Sequence, residues 1–257
     1  MQGLDAAYTM ILIDGQPMVG RQAGTLDLSR LTVHNIERIE IIKGASSSLY
    51  GSEALAGVVN IITREAEKDG KWQGQAGYRL ASFGTHDASA TLQYNKGIVS
   101  LDVFANYFAS RGYSLAEAAR LPTVEPFHNF TFQPKIKISP SEKLSLMIHS
   151  RFYGQDQDYR AFINEALFAG KSLSREWNQT LLVRQTLRKN WKMEYDLYAT
   201  HYRFDEGLRD AGQVLFEENL YRQWFYRPEI RTHYKMGHNT LTAGVGMNYE
   251  NPAAYPF

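Results

Sequence analysis

From Lys71 to the end of the chain, apolar and polar residues alternate with a period of two, and that pattern restricts the region to antiparallel β-sheet. Phe130, Phe132, Pro134, Ile136 and Ile138 alternate with Thr131, Gln133, Lys135 and Lys137. Trp191, Met193, Tyr195, Leu197 and Ala199 alternate with Lys192, Glu194, Asp196, Tyr198 and Thr200. Leu241, Ala243, Val245, Met247 and Tyr249 alternate with Thr242, Gly244, Gly246 and Asn248. Looser alternation runs through 72–82, 86–95, 98–108, 143–153, 177–188 and 220–234, making about nine strands. Many of these are near or beyond the ~10 residues that a tilted strand needs to cross a bilayer.

Alternation alone fits either a membrane barrel or a soluble sheet with one wet face. The connections carry separate information. Asn95–Gly97, Ser139–Glu142, Lys189–Asn190 and Met236–His238 are tight, whereas 110–127, 155–174 and 206–218 are long, with Phe83–Thr85 the one short connection on the long side. Outer-membrane barrels show this parity, with short periplasmic turns and longer outer loops. Aromatic content of 13% with 16 Tyr suits the interfacial girdles of such barrels. No run of about 18 apolar residues is present, so a transmembrane helix is excluded. A formal net charge of +1 gives no reason to propose a nucleic-acid partner, and zero cysteines exclude disulfides and thiolate chemistry.

The first quarter differs in kind. Ile39–Ile42 and Val58–Ile62 are short β-branched runs suited to strands buried on both faces, with Gly44, Gly51 and Gly57 as boundaries. Ser46–Tyr50 is long enough for about one helical turn, which Gly51 would end. Tyr8–Asp14 is another apolar strand, ending in the Asp14-Gly15 turn signal.

The order LIDGQP (Leu12–Pro17), LDLSRL (Leu26–Leu31), IERIEIIKG and SLYGSEALAGVVNIIT resembles the plug domain of TonB-dependent outer-membrane receptors. Among subfamilies it is most similar to the vitamin B12, colicin I and haem receptor group. The fold class this implies is mostly β. The C-terminal part of an α+β plug domain occupies residues 1–66, and about nine antiparallel strands of an incomplete transmembrane barrel occupy 71–257. Met1-Gln2-Gly3 stands where the family has Ile-Arg-Gly, so a buried plug arginine is missing and the chain is expected to start inside the domain. No signal peptide or TonB-contacting box is visible in it. An odd, small strand set cannot close around a plug, so the chain is expected to be a fragment, unable to transport alone.

The resemblance implies a receptor in the outer membrane of a Gram-negative bacterium, importing a scarce ligand with energy from TonB. The expected partners are outer-membrane lipid, TonB of the inner-membrane energising complex, and a small-molecule metal chelate (an iron-siderophore), haem or a corrinoid. No resident cofactor or metal is expected. The apical loop would be Pro17–Thr25, and the candidate ligand contacts are Met18, Arg21, Gln22 and Thr25, with Tyr113, Tyr159, Arg160 and Phe162 of the outer loops. Arg21 would engage an anionic ligand group by charge-assisted hydrogen bonds. The plug motif and plug–barrel contacts are assigned to Glu37, Arg38, Glu40, Lys43, Gly44, Tyr50 and Gly51, with Lys135, Lys137, Arg184 or Glu194 as lumen-facing counterparts. The alternatives are a surface sensor or adhesin, and a non-functional remnant of a transporter gene. An enzyme is not expected: no Gly-x-Ser-x-Gly, Walker or His-Glu-x-x-His motif occurs, and the seven histidines are scattered.

Overall fold

A computed structural model of the chain describes residues 8–21, 25–43, 54–67, 70–116 and 120–256. Two compact units divide at residues 65 and 66.

The first unit holds a four-stranded sheet of β1 (Thr9–Ile13), β2 (Gln16–Pro17), β3 (Ile36–Ile42) and β4 (Gly57–Thr63), in the order β2-β1-β4-β3. Asp14 (φ 49°) and Gly15 (φ 80°) form the two-residue turn joining β1 to β2, as the Asp-Gly pair predicts, because both positions need positive φ. The Asp14 carboxylate then reaches across to β4, accepting from the Thr63 amide at 2.8 Å and from Thr63 Oγ1 at 2.6 Å. Gly15 N donates to Asn60 Oδ1 at 3.0 Å, so one turn is fastened to β4 at two points. Leu12, Ala54 and Val58 form the core, with Met10 and Ile42 packed on it. The expectation that both apolar runs are buried on two faces holds for β4 and fails for β3. Ile39 and Ile41 are exposed. The physical reason is position: β4 lies between β1 and β3, whereas β3 is an edge strand. The helical turn expected over 46–50 lies outside the described residues.

The second unit is one antiparallel sheet of β5 (Trp72–Ala81), β6 (Thr85–Lys96), β7 (Val99–Ser110), β8 (Phe127–Ser141), β9 (Leu144–Ile163), β10 (Ala166–Arg188), β11 (Trp191–Arg209), β12 (Leu215–Met236), β13 (Asn239–Gly246) and β14 (Tyr249–Pro256). Each strand pairs with its chain neighbour, except that β14 pairs with β12. β13 and β14 share one register along β12, running from Met236↔Asn239 to Asn219↔Pro256, so they are a single ninth span interrupted at Met247 and Asn248. The interruption lies opposite Pro228. Met247 N donates to Pro228 O at 3.1 Å, and Pro228 has no N–H to return. β14 continues to Pro256, and Pro252 is tolerated because its nitrogen points away from β12.

Two of the three predicted long loops are shorter than the sequence suggests. β9 and β10 continue as a ladder through 155–174 to a two-residue turn at Asn164 (φ 48°) and Glu165 (φ 65°). The 206–218 segment contracts to 210–214, closed by Asp210 Oδ1 accepting from Val214 N at 2.8 Å. Backbone ladders do not require apolar alternation, so polar hairpins extend strands past the point where the sequence signal fades. Among the described residues of the 111–126 connection, a Tyr113–Val124 bridge is the one regular pairing.

The burial pattern of this sheet is the reverse of a soluble protein's. On β8, Asn129, Thr131, Gln133 and Lys135 are 4–6% exposed, while Phe130, Phe132, Ile136 and Ile138 are 40–45% exposed. Buried Asp87, Asp102, Asn106, Arg151, Glu176, Thr180, Asp196, Thr200 and Gln223 continue the polar face. Aromatic residues border the apolar face in two rows. Phe132, Phe152, Trp177, His201 and Trp224 are register neighbours across β8 to β12. Near the tight turns, Trp72 stacks on Tyr94 at 4.7 Å and Trp191 meets Tyr234 at 6.5 Å. On β11 the rows are ten residues apart, Trp191 to His201. At ~3.3 Å per residue and a tilt of ~40° this spans ~25 Å, the height of a barrel's lipid-facing band.

Candidate functional site

Two groups of residues carry the expected ligand and plug contacts, one in each unit. In the first unit the segment after the Asp14-Gly15 turn is drawn inward. Met18 N donates to Ile11 O at 3.0 Å, and the Met18 and Val19 side chains are buried. Gly20 takes φ 82°. Beneath it lies Arg30, fully buried, whose Nη1 donates to Val19 O at 2.8 Å and Gly20 O at 3.3 Å. Arg30 ends a single 3-10 turn, Leu28–Arg30, capped by Asp27, whose Oδ1 accepts from Ser29 N at 2.9 Å. Sequence reasoning passed over Arg30. The Asp-x-Ser capping pattern before it was the available signal that this arginine is fixed in place. Arg21 is half-buried, and its Nη2 donates to Thr9 O at 2.8 Å. Thr25 is exposed, and Gln22 lies outside the described residues.

Of the plug-motif residues, Glu37, Arg38 and Glu40 form a local group on β3, with Arg38–Glu37 at 2.8 Å and Arg38–Glu40 at 2.9 Å. Asn60 Nδ2 donates to Glu40 Oε2 at 3.2 Å, tying that group to β4. Lys43 is exposed, and Gly44, Tyr50 and Gly51 lie outside the described residues.

In the second unit the buried face of the wall carries a polar ladder toward the long-hairpin end. Arg151 pairs with Glu176 at 2.7 Å with side chains 4% and 0% exposed, and its guanidinium lies over the Tyr153 ring. Tyr153 Oη donates to Gln155 at 2.9 Å, and Asn178 Nδ2 donates to Tyr198 Oη at 2.8 Å and Thr200 Oγ1 at 2.9 Å. Buried polar networks of this kind rigidify their surroundings, because each unmade bond at low dielectric is expensive. At the opposite end, Arg184 pairs with Glu194 at 3.0 Å, and Arg231 lies near Glu194, Asp196 and Glu229. Lys135 is buried on the same face and Lys137 half-buried.

The predicted outer-loop contacts separate. Tyr159 continues the face of Arg151 and Tyr153, while Arg160 and Phe162, one position out of phase, occupy the other face of β9. The 111–126 connection lies against that other face. Arg160 Nε is 3.6 Å from Glu125 Oε2, Arg120 lies 4.1 Å over the Phe162 ring, and Arg120 pairs with Glu165 at 2.7 Å. Burial pushes the Glu125 carboxyl above its ordinary range, with Arg160 opposing and Asp158 reinforcing the shift. Tyr113 stacks on Phe83 at 5.0 Å.

Residues 1–58 match the family model described as the TonB-dependent Receptor Plug Domain. Among solved structures, the chain is similar to a mutant of the ferric enterobactin receptor PfeA from Pseudomonas aeruginosa. The TM-score is 0.70 at 16% identity, over 98% of this chain and 42% of that one. The P. aeruginosa receptor FpvA bound to heterologous pyoverdines gives a TM-score of 0.70 at 12% identity, over 96% and 36%. The FrpB iron transporter from Neisseria meningitidis gives 0.69 at 14%, over 98% and 42%. The chain thus spans roughly two fifths of the length of the structures it matches.

Proposed function

We propose that this chain, with a TonB-dependent receptor plug segment and the matching barrel-wall fold, is part of an outer-membrane receptor that imports a scarce ligand with energy from TonB. One observation carries the reading: a 58-residue plug match leads into a wall whose apolar face is exposed between two aromatic rows and whose polar face is buried. In this reading residues 1–66 are plug and 71–257 wall, and the apolar band meets outer-membrane lipid.

The imported ligand in this proposal is a ferric chelate, with haem and a corrinoid as the other candidates. The names of the three structural relatives, all iron receptors or transporters, support that order. Arg21 and Thr25 at the apical segment and Tyr159 on the polar face of β9 are the proposed contacts, with Met18 shaping the segment from beneath. The test is uptake of labelled ferric siderophore, haem and cyanocobalamin by cells whose sole receptor carries this sequence, with and without functional TonB. Accumulation of one ligand only when TonB is functional is the expected result. Binding without TonB-dependent accumulation would indicate a sensor or adhesin, and no binding a remnant.

A further inference from the structure

The apolar face carries a row of three arginines along the register. Arg175, Arg203 and Arg222 are register neighbours on β10, β11 and β12, one step outward from Trp177, His201 and Trp224. Two residues of rise along a tilted strand place the guanidiniums ~5 Å beyond the aromatic row, in the headgroup layer of a bilayer whose hydrocarbon ends at that row.

The arginines are held by carboxylates on the same face, one step further outward. Arg175 pairs with Asp156 and donates from Nη1 to Gln155 O at 2.8 Å and Ser174 O at 2.9 Å. Asp205 is shared, paired with Arg203 and 3.1 Å from Arg222. Three guanidiniums therefore meet two carboxylates. The side chains of Arg175, Arg203 and Arg222 remain 44%, 48% and 34% exposed, against 13% for Asp205. Asp205 is tucked in while Arg203 and Arg222 stay more exposed, and Asp156 at 34% remains less exposed than Arg175. A planar guanidinium held by one edge presents its remaining N–H donors in a fork that matches phosphate oxygens.

Resting on the reading of this face as lipid-exposed, we infer that Arg175, Arg203 and Arg222 form a binding site for the headgroup phosphate of an anionic membrane lipid. The occupant is argued from continuity: the row borders the apolar band directly, so an acyl chain against Phe152 and Trp177 delivers its phosphate to this height. Each basic residue near an anionic surface contributes about fivefold in affinity, so the row is worth at least about tenfold after partial neutralisation by Asp156 and Asp205.

The test uses the chain in dodecylmaltoside micelles with Trp72→Phe and Trp191→Phe, leaving Trp177 and Trp224 as reporters. Quenching is followed during titration with dibromo-acyl phosphatidylglycerol or dibromo-acyl phosphatidylcholine. The expected result is half-quenching by the anionic lipid at about one tenth the mole fraction of the zwitterionic one, a preference reduced to about twofold in R175Q/R203Q/R222Q. R175Q and R222Q alone, each lowering the preference by about twofold, serve should the triple variant not fold. Equal quenching by both lipids overturns the arginine site and leaves the lipid-facing band intact. No quenching by either overturns the band and the site with it. Competition by inorganic phosphate as effective as by lipid also overturns the inference, since the site would then take its phosphate from solution.

Discussion

Replacing Asp14 by Ala removes the fastening between the β1–β2 turn and β4. The carboxylate accepts two hydrogen bonds from Thr63, at 2.8 Å from its amide and 2.6 Å from its hydroxyl. A hydrogen bond to a charged group contributes ~1.5–3 kcal/mol, and because Asp14 is only half-buried the lower end applies, giving ~3 kcal/mol for the pair. Alanine at φ 49° adds backbone strain of ~1 kcal/mol. The total, ~4 kcal/mol, corresponds to several hundredfold faster exchange of the Thr63 amide if that amide is freed by opening of this sheet. Asp14→Asn keeps one acceptor and tolerates positive φ, so it is expected to cost ~1 kcal/mol, under about tenfold. The assay is amide hydrogen exchange of the micelle-bound protein, with β8 to β12 amides as the internal control. Exchange of Thr63 in Asp14→Ala within about threefold of the unsubstituted chain would refute the two-bond accounting.

Leu197 is centred between the aromatic rows on the apolar face, so Leu197→Arg is expected to cost ~2–4 kcal/mol in urea unfolding from vesicles, while Thr200→Ser on the buried polar face stays within ~1 kcal/mol. A side-chain carbon at Gly170 would fall on the Gly207 carbonyl oxygen of the next strand, so Gly170→Ala should lower stability by ~2 kcal/mol. Gly97→Ala, at φ 62° with open space around it, should lose only ~1 kcal/mol; equal losses at the two sites would rule out the backbone clash. Because burial raises the Glu125 carboxyl above its unfolded value, docking of the 111–126 connection is favoured at acid pH and weakens as pH rises through that raised value. Limited proteolysis across pH should show this protection profile, and Glu125→Gln should flatten it; an unchanged profile would remove Glu125 as its source.

Local residue order carries much of this architecture. Period-two alternation determines where most spans run, since it records which residues share a face of a pleated strand. Asp14-Gly15 determines its turn because only a few residue types accept two successive positive φ values. The tight connections read at Asn95–Gly97 and Lys189–Asn190 are legible because the alternation breaks there, although the structure sets the first turn at Gly97 and Ile98. Alternation does not state which face is covered, however. Phe132 and Gln133 would alternate identically in a soluble sheet, and only the assembled sheet exposes the phenylalanine and buries the glutamine. Nor does it state strand order: Ile41 and Val59 are register partners of similar chemistry, yet β4 is central and β3 an edge. Tyr159 and Arg160 were grouped as neighbours in a loop, and the ladder that continues through them sets them on opposite faces. Arg30 is buried because a loop eleven residues earlier folds over it. These outcomes depend on backbone hydrogen bonds and long-range contacts, whose partners are chosen by the whole sheet and which no window of sequence contains.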